Sequence, residues 1–139
     1  MLILDTNIIS EAMSPVPNEN VSRWISSQIA ADLFTTSISL AEIMYGVELL
    51  PHGKRRSALL SSAELMFLRL FSGRVLVFDE LAARAFPMIA VERRLRGRPI
   101  TLFDAQIAAI TRASDATLAT RNAADFEACG IRVVNPWVD

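Results

Sequence analysis

Four acidic residues carry the chemical signal of this sequence: Asp5, Glu42, Asp104 and Asp125. Each falls either just past an expected strand or in the first turns of an expected helix, and in an open parallel sheet ligands collect at the carboxyl ends of the strands. Carboxylates gathered there would raise one another's pKa, because none ionises freely beside the others. A divalent cation removes that cost. Oxygen donors without histidine or thiolate select a hard ion, so Mg²⁺, with Mn²⁺ as a substitute, is expected over zinc. Such an ion lowers the pKa of a bound water and neutralises charge developing on a phosphate, which suits hydrolysis of a phosphodiester.

Taken singly, each acid also has a structural reading. Asp5 can cap the first helix, Ser39-x-x-Glu42 and Thr101-x-x-Asp104 both have capping-box spacing, and Asp125 can be a solvated surface acid. Asp5 is the least ordinary of the set, since it ends an apolar run directly.

The elements that must position these groups follow from the apolar pattern. Leu2-Ile3-Leu4 reads as a buried strand at the centre of a sheet, leading into a helix at Asp5-Thr6-Asn7. After the turn residues Ser14 to Asn18, the spacing of Val21, Trp24, Ile25 and Ile29 predicts a helix, and Leu33-Phe34-Thr35-Thr36 a second strand, making a β-α-β unit. Helical periodicity runs from Ser37 to Leu50 and stops at Pro51-His52-Gly53; a further helix covers about Ser57 to Phe71. Strands are expected at Val75–Phe78, Thr117–Thr120 and Ile131–Val134, with helices at Glu80–Arg96 and Thr101–Ala113 and a short helical turn at Asp125–Ala128. Short strands, apolar on both faces and separated by helices, require a parallel sheet covered on both sides. The fold class is α/β, and residues 1–139 read as a single domain with no linker or repeat.

Composition narrows the chemistry. At 139 residues and 52% hydrophobic content the chain can bury a core without staples. Charged residues interrupt every apolar run before it could span a membrane, and Asp5 follows so few residues that no secretory signal is expected, which points to the cytoplasm. One cysteine, Cys129, excludes an internal disulfide, and one histidine, His52, beside Pro51 and Gly53, reads as a solvated turn rather than a catalytic base. The net charge of −1 decides nothing about nucleic acid. Two basic clusters, Lys54-Arg55-Arg56 and Arg93, Arg94, Arg96 and Arg98, suit phosphate contact and solvated helix ends alike.

The motifs together resemble the PIN-domain ribonucleases and, among them, the VapC toxins of bacterial toxin–antitoxin pairs. Leu2 to Asn7 with Ile8-Ile9-Ser10-Glu11 resembles the family's opening strand and helix, Ser37 to Ile43 with Tyr45-Gly46 its second motif, and Leu102 to Ala108 its third. Leu118-Ala119-Thr120-Arg121-Asn122 through Asp125-Phe126, then Val133-Val134-Asn135-Pro136-Trp137, resembles its ending. The resemblance implies a three-layer α/β/α domain with a short central parallel sheet. It implies Asp5, Glu42 and Asp104 as metal ligands. Many relatives carry an acid at the place of Asn122, so Asp125 is expected to complete the site with Asn122 in support through its carbonyl or a water, while Thr6, Asn7, Thr120 and Arg121 surround it. It further implies Mg²⁺-dependent endoribonuclease activity that arrests growth, inhibition by a cognate VapB-like antitoxin that also supplies DNA binding, and a homodimer. Trp24, Leu49, Leu50, Leu59 and Leu60 could receive a partner helix.

Three rivals are weighed against this. A phosphotransferase of the haloacid-dehalogenase type needs a second aspartate two residues after the first, where this chain has Asn7. A dinucleotide-binding domain needs a glycine-rich turn that Asp5-Thr6-Asn7 does not offer. A non-catalytic PIN-like module that docks RNA or a basic partner predicts binding without turnover, and Asn122 at an expected acidic position is the feature in its favour.

Overall fold

The computed structural model describes all 139 residues and contains five short parallel strands: β1 (Leu2–Leu4), β2 (Leu33–Thr36), β3 (Val75–Leu76), β4 (Thr117–Ala119) and β5 (Arg132–Val134). Their order across the sheet is β3-β2-β1-β4-β5, so the first strand is central as its apolar run predicts. Six helices cover the sheet: α1 (Thr6–Ala12), α2 (Glu19–Ser27), α3 (Ser37–Leu49), α4 (Lys54–Leu65), α5 (Glu80–Leu95) and α6 (Leu102–Ala113). No helix is long and apolar enough to cross a membrane.

Alternation along the strands builds a core on each face. Ile3 and Leu118 point into one apolar cluster with Ala85 and Ile89 of α5 and Ile107 of α6; Leu4 and Ala119 point into the other, with Ile8 and Ile9 of α1, Val21 of α2 and Ala63 of α4. The architecture is the expected three-layer α/β/α sandwich. The strand order reverses at β1: the chain steps outward through β2 and β3, then returns to place β4 on the other side of β1. Helices leaving β1 and β2 diverge from the connection after β4, which opens a crevice at the carboxyl ends of β1 and β4.

Local chemistry accounts for the element ends. Asp5, Asn18, Thr36, Asp79 and Thr101 each accept a backbone N–H at the start of a helix, satisfying donors that the first turn leaves unpaired. Several expected boundaries shift for identifiable reasons. The strand expected over Val75–Phe78 is two residues long, because its only partner, β2, pairs Thr35 with Val75 and Thr36 with Leu76 and then turns into α3. Helix α2 stops at Ser27, leaving Ile29 outside and exposed. Helix α4 starts at Lys54 and not at Ser57, and from Met66 to Leu70 it widens into a π-helical turn before Phe71 enters the core. The helical turn expected over Asp125–Ala128 is a 3₁₀ turn over Ala123–Phe126; Ala128, at φ 62°, has the left-handed backbone that ends a right-handed helix.

The two basic clusters prove unlike each other. Lys54, Arg55 and Arg56 lie in the first turn of α4, where the helix dipole disfavours cations, and Arg56 is drawn to Glu48 at 2.7 Å and to His52. Arg93 is buried, and its guanidinium donates to the carbonyls of Arg98 (2.7 Å), Asp125 (2.7 Å) and Glu127 (2.9 Å). It is neither a phosphate contact nor a solvated helix end: it clamps the loop after β4. Arg96 pairs with Glu92 and Arg98 with Glu127 at the exposed surface.

Arg93→Met keeps most of the side-chain bulk but leaves three carbonyls unpaired. Urea unfolding at pH 7 should show a loss of about 2–4 kcal/mol, with Arg93→Lys failing to restore it because an ammonium lacks the guanidinium's fork. A variant as stable as the parent would mean that water replaces the clamp.

Candidate active site

The crevice between the ends of β1 and β4 holds the first carboxylate. Asp5 follows β1, and its backbone N–H still bonds to the Ala119 carbonyl (3.0 Å), so the side chain is delivered between the two strands. Its Oδ1 accepts from the Thr6 N–H at 2.8 Å and its Oδ2 from the Thr120 hydroxyl at 2.7 Å. Thr120 in turn accepts from Asn7 Nδ2 (3.2 Å) and from the Asn122 N–H (3.1 Å), while Asn7 Oδ1 accepts from the Arg121 N–H (3.2 Å). The residues just past β4 are thereby tied to the first turn of α1 through neutral groups. Asp5 is only 5% exposed, and burial pushes its pKa from 3.8 up to about 6, opposed by the Thr120 and Thr6 bonds and aided by the charges of Asp104 and Glu42.

Glu42 reaches the same cleft from the second turn of α3. That helix is capped by Thr36, which accepts from the Ser39 N–H, so Ser39 is not the cap and Glu42 does not close the box that its spacing allows. The carboxylate is free for the cleft and is held there by the Thr6 hydroxyl, which donates to Oε1 at 2.9 Å and also lies 3.1 Å from Ser39 Oγ. Burial raises the Glu42 pKa, the Thr6 bond lowers it, and the charge of Asp104 raises it further. Asp104 comes from the first turn of α6, whose cap is made as predicted: Thr101 Oγ1 accepts the Asp104 N–H at 3.2 Å. Its pKa is also raised, first by burial, and by the charge of Asp125, against Thr101 and Arg93.

Asp5, Glu42 and Asp104, carried by three different elements, thus face one open cleft of about 480 Å³. Thr6, Asn7, Arg121 and Asn122 line it as well. Asp125 does not. It is exposed on the 3₁₀ turn, its main chain is held by Arg93, and it acts on the cleft only through the field it exerts on Asp104. Of the two residues expected to complete the site, the structure brings Asn122 into the cleft and leaves Asp125 outside its lining. Ser10, Glu11 and Trp137 line it too and were not among the expected site residues. For Ser10 and Glu11 a signal existed: a helix entered at Asp5 puts Asn7, Ser10 and Glu11 on one face, three and four residues apart.

The donor set is made of oxygen ligands and suits a hard divalent cation. No three acidic groups stand close enough to clasp one ion directly in this arrangement. Magnesium commonly retains several waters and takes only one or two protein carboxylates, so the open arrangement fits a hydrated ion completed by a phosphate.

Comparison with known proteins identifies the family. The family model described as PIN domain matches residues 2–130. The chain belongs to the PIN-domain family, on its VapC branch. It is 40% identical over the full length of both chains to Toxin FitB of Neisseria gonorrhoeae, and 36% identical to VapC ribonuclease Y4jK of Sinorhizobium fredii, covering 99% of this chain and 98% of that one. Among solved structures, FitAB bound to an IR36 DNA fragment superposes with a TM-score of 0.92 at 40% identity, covering 99% of this chain and 96% of its counterpart. The sandwich described above is therefore the PIN fold, and its acidic cleft lies at the strand-order reversal of that fold.

A raised carboxylate pKa has a stability consequence with a definite sign. Between pH 4 and 6 the folded state holds a proton on Asp5 that the unfolded chain has released, so stability is full below about pH 4 and falls as pH rises through about 6. In metal-free buffer Asp5→Asn should gain about 1–3 kcal/mol over the parent at pH 7.5, and the gain should vanish near pH 3.5. Thermal unfolding across this range checks it; a pH-independent difference would mean that Asp5 titrates as an ordinary surface acid.

Proposed function

We propose that this chain is a metal-dependent endoribonuclease, the toxin of a toxin–antitoxin pair, that hydrolyses RNA phosphodiester bonds in the cytoplasm and is silenced by a VapB-like antitoxin. The observation that carries the reading is the convergence of Asp5, Glu42 and Asp104 in one cleft, with Asp5 buried and ionised only at a cost. Kinship with proteins named as VapC ribonuclease and as toxin supports the same activity.

In this proposal Asp5, Glu42 and Asp104 would hold a hydrated ion, in part through its waters, and Asn122 would assist through its carbonyl oxygen. A divalent cation there supplies an acidified water and positive charge opposite the phosphate. The rest falls to the chain's own groups. Thr6 fixes the Glu42 carboxylate, and Thr120 and the Thr6 N–H fix Asp5, so that neither ligand must reorganise when substrate arrives. Arg55 borders the groove that shares Thr6 and Glu42 with the cleft, and Arg121 lines the cleft itself; in this reading both would contact the RNA backbone. Water oxygen would attack phosphorus, losing a proton to solvent, as the bond from phosphorus to the in-line 3′ oxygen breaks and that oxygen takes up a proton from solvent. The products carry a 5′-phosphate and a 3′-hydroxyl.

The groove between α1, α3 and α4, with Met13, Ile43, Leu50 and Leu59 as its apolar members, is continuous with the cleft and is where we place an antitoxin segment. Leu95, Leu102 and Phe103 on α5 and α6 are exposed and would serve a homodimer. DNA enters only through the antitoxin. The rival reading, a module that binds without turnover, draws on the separation of the acids. It predicts RNA retention without cleavage.

Purified, antitoxin-free protein should cut cellular RNA in Mg²⁺ and Mn²⁺ and not in EDTA. Asp5→Asn, Glu42→Gln and Asp104→Asn should each lower the rate about 10²–10⁴-fold, Asp125→Asn far less, and the new ends should accept ligation chemistry specific for 5′-phosphate. Cyclic phosphate ends would point to the neighbouring 2′-hydroxyl as nucleophile. RNA bound but uncut under every metal would favour the binding module.

A further inference from the structure

Trp137 is the only apolar side chain lining the acidic cleft, and it also lines the adjoining groove formed with Arg23 and Trp24 of α2. It thus forms the wall common to two clefts. The Arg121 guanidinium lies over its ring, with Cζ 5.2 Å from the ring centroid. The backbone beneath this pair is tied from several sides. Asn135 donates from Nδ2 to the Arg121 carbonyl (3.2 Å) and accepts the Trp137 N–H at Oδ1 (3.0 Å), while Asn20 of α2 donates to the Trp137 carbonyl (2.9 Å). Arg121 is fixed on its other side by Asn7, which bonds Thr120, the partner of Asp5. An unbroken chain of contacts therefore runs from the buried carboxylate to the indole.

Packing explains part of this and not all of it. Trp137 rests on the second apolar cluster, which accounts for a large side chain there. Any bulky aliphatic residue would serve that purpose. A planar ring with a planar cation over it, on the rim of an open polar cleft, is the arrangement on which unpaired nucleobases stack, through the indole face or the guanidinium plane. Stacking of this kind tolerates sequence and needs the base unpaired.

We propose that Trp137 with Arg121 is a nucleobase subsite of the ribonuclease cleft, holding one unpaired base beside the phosphate to be cut. This rests on the nuclease reading above and adds to it how the substrate is held: one unpaired base gripped by its face. Trp137 is a positioning residue and does not touch the reacting atoms.

The test uses the antitoxin-free full chain carrying Trp24→Phe, so that Trp137 is the sole tryptophan, with Ca²⁺ in place of Mg²⁺ to hold RNA uncut. The probes are a pentanucleotide RNA and a set in which each position in turn is an abasic ribose. Binding of the intact RNA should quench Trp137 fluorescence, and one abasic position should weaken binding about tenfold. Trp137→Leu, which keeps apolar volume without a π face, should bind intact RNA about tenfold more weakly and be indifferent to that abasic position, while Trp137→Phe recovers most of the affinity. With Mg²⁺ the Leu variant should show its defect mainly in KM.

Equal RNA affinity of Trp137→Leu and its parent would overturn the subsite, as would a Leu variant that weakens intact and abasic RNA alike, since that is a structural effect. A defect confined to antitoxin binding, with RNA affinity unchanged, would assign the ring to the protein partner and also overturn it. Failure of the nuclease reading looks different: the parent itself would cut no RNA in Mg²⁺.

Discussion

Asp5 is a nearly buried carboxylate whose hydrogen-bond partners, the Thr6 amide, the Thr120 hydroxyl and Asn7, are all neutral. Removing a charge from water without a cation beside it is costly, and its raised pKa is the measure of that cost. Much of the surrounding structure limits it without cancelling it. The sheet reverses its order at β1, so that Asp5 emerges at a crevice and not against a third strand. Helix α1 begins at the next residue, and its first amide, that of Thr6, donates to the carboxylate. Thr120, the residue just past β4, brings its hydroxyl to the second oxygen. Replacing this group by an uncharged one would improve the fold, so stability does not account for its presence.

Glu42 and Asp104 add to that unfavourable field from half-buried positions, and their own pKa values rise for the same reasons. The result is a cleft in which all three carboxylates ionise less readily than they would in water. Arg93 enters here in an indirect way. By holding the carbonyls of Asp125 and Glu127 it fixes the loop after β4, and its charge partly offsets that of Asp104 while it remains outside the cleft.

What the sequence made legible was whatever depended on short spacings. The central strand, the cap at Asp5, the Thr101 cap with Asp104 one turn later, and the parallel α/β class all follow from apolar runs and capping chemistry within a few residues. The fourth position was harder. Asn122 and Asp125 are three residues apart, and which one faces the cleft depends on a 3₁₀ turn whose direction is fixed by Arg93, distant in sequence and donating to main-chain atoms that any residue would present. Charge pattern alone could not separate that structural arginine from Arg94 or Arg96 beside it. Trp137 was equally hidden, because its placement relies on Asn135 and Asn20 binding backbone carbonyls across the fold.

The pairing of β1 with β4 also sets a schedule. Asp5 and Thr120 meet across 115 residues of chain, and β1 finds its second neighbour only when Thr117 to Ala119 are available. Contacts so distant in sequence carry a large loop-closure cost. A nascent chain still being elongated by the ribosome can hence fold α1 to α3 around β1 and β2 while the crevice has no far wall. The cleft cannot be complete before Thr120 has been made, so an incompletely synthesised chain carries Asp5 and Glu42 without the wall that orients them.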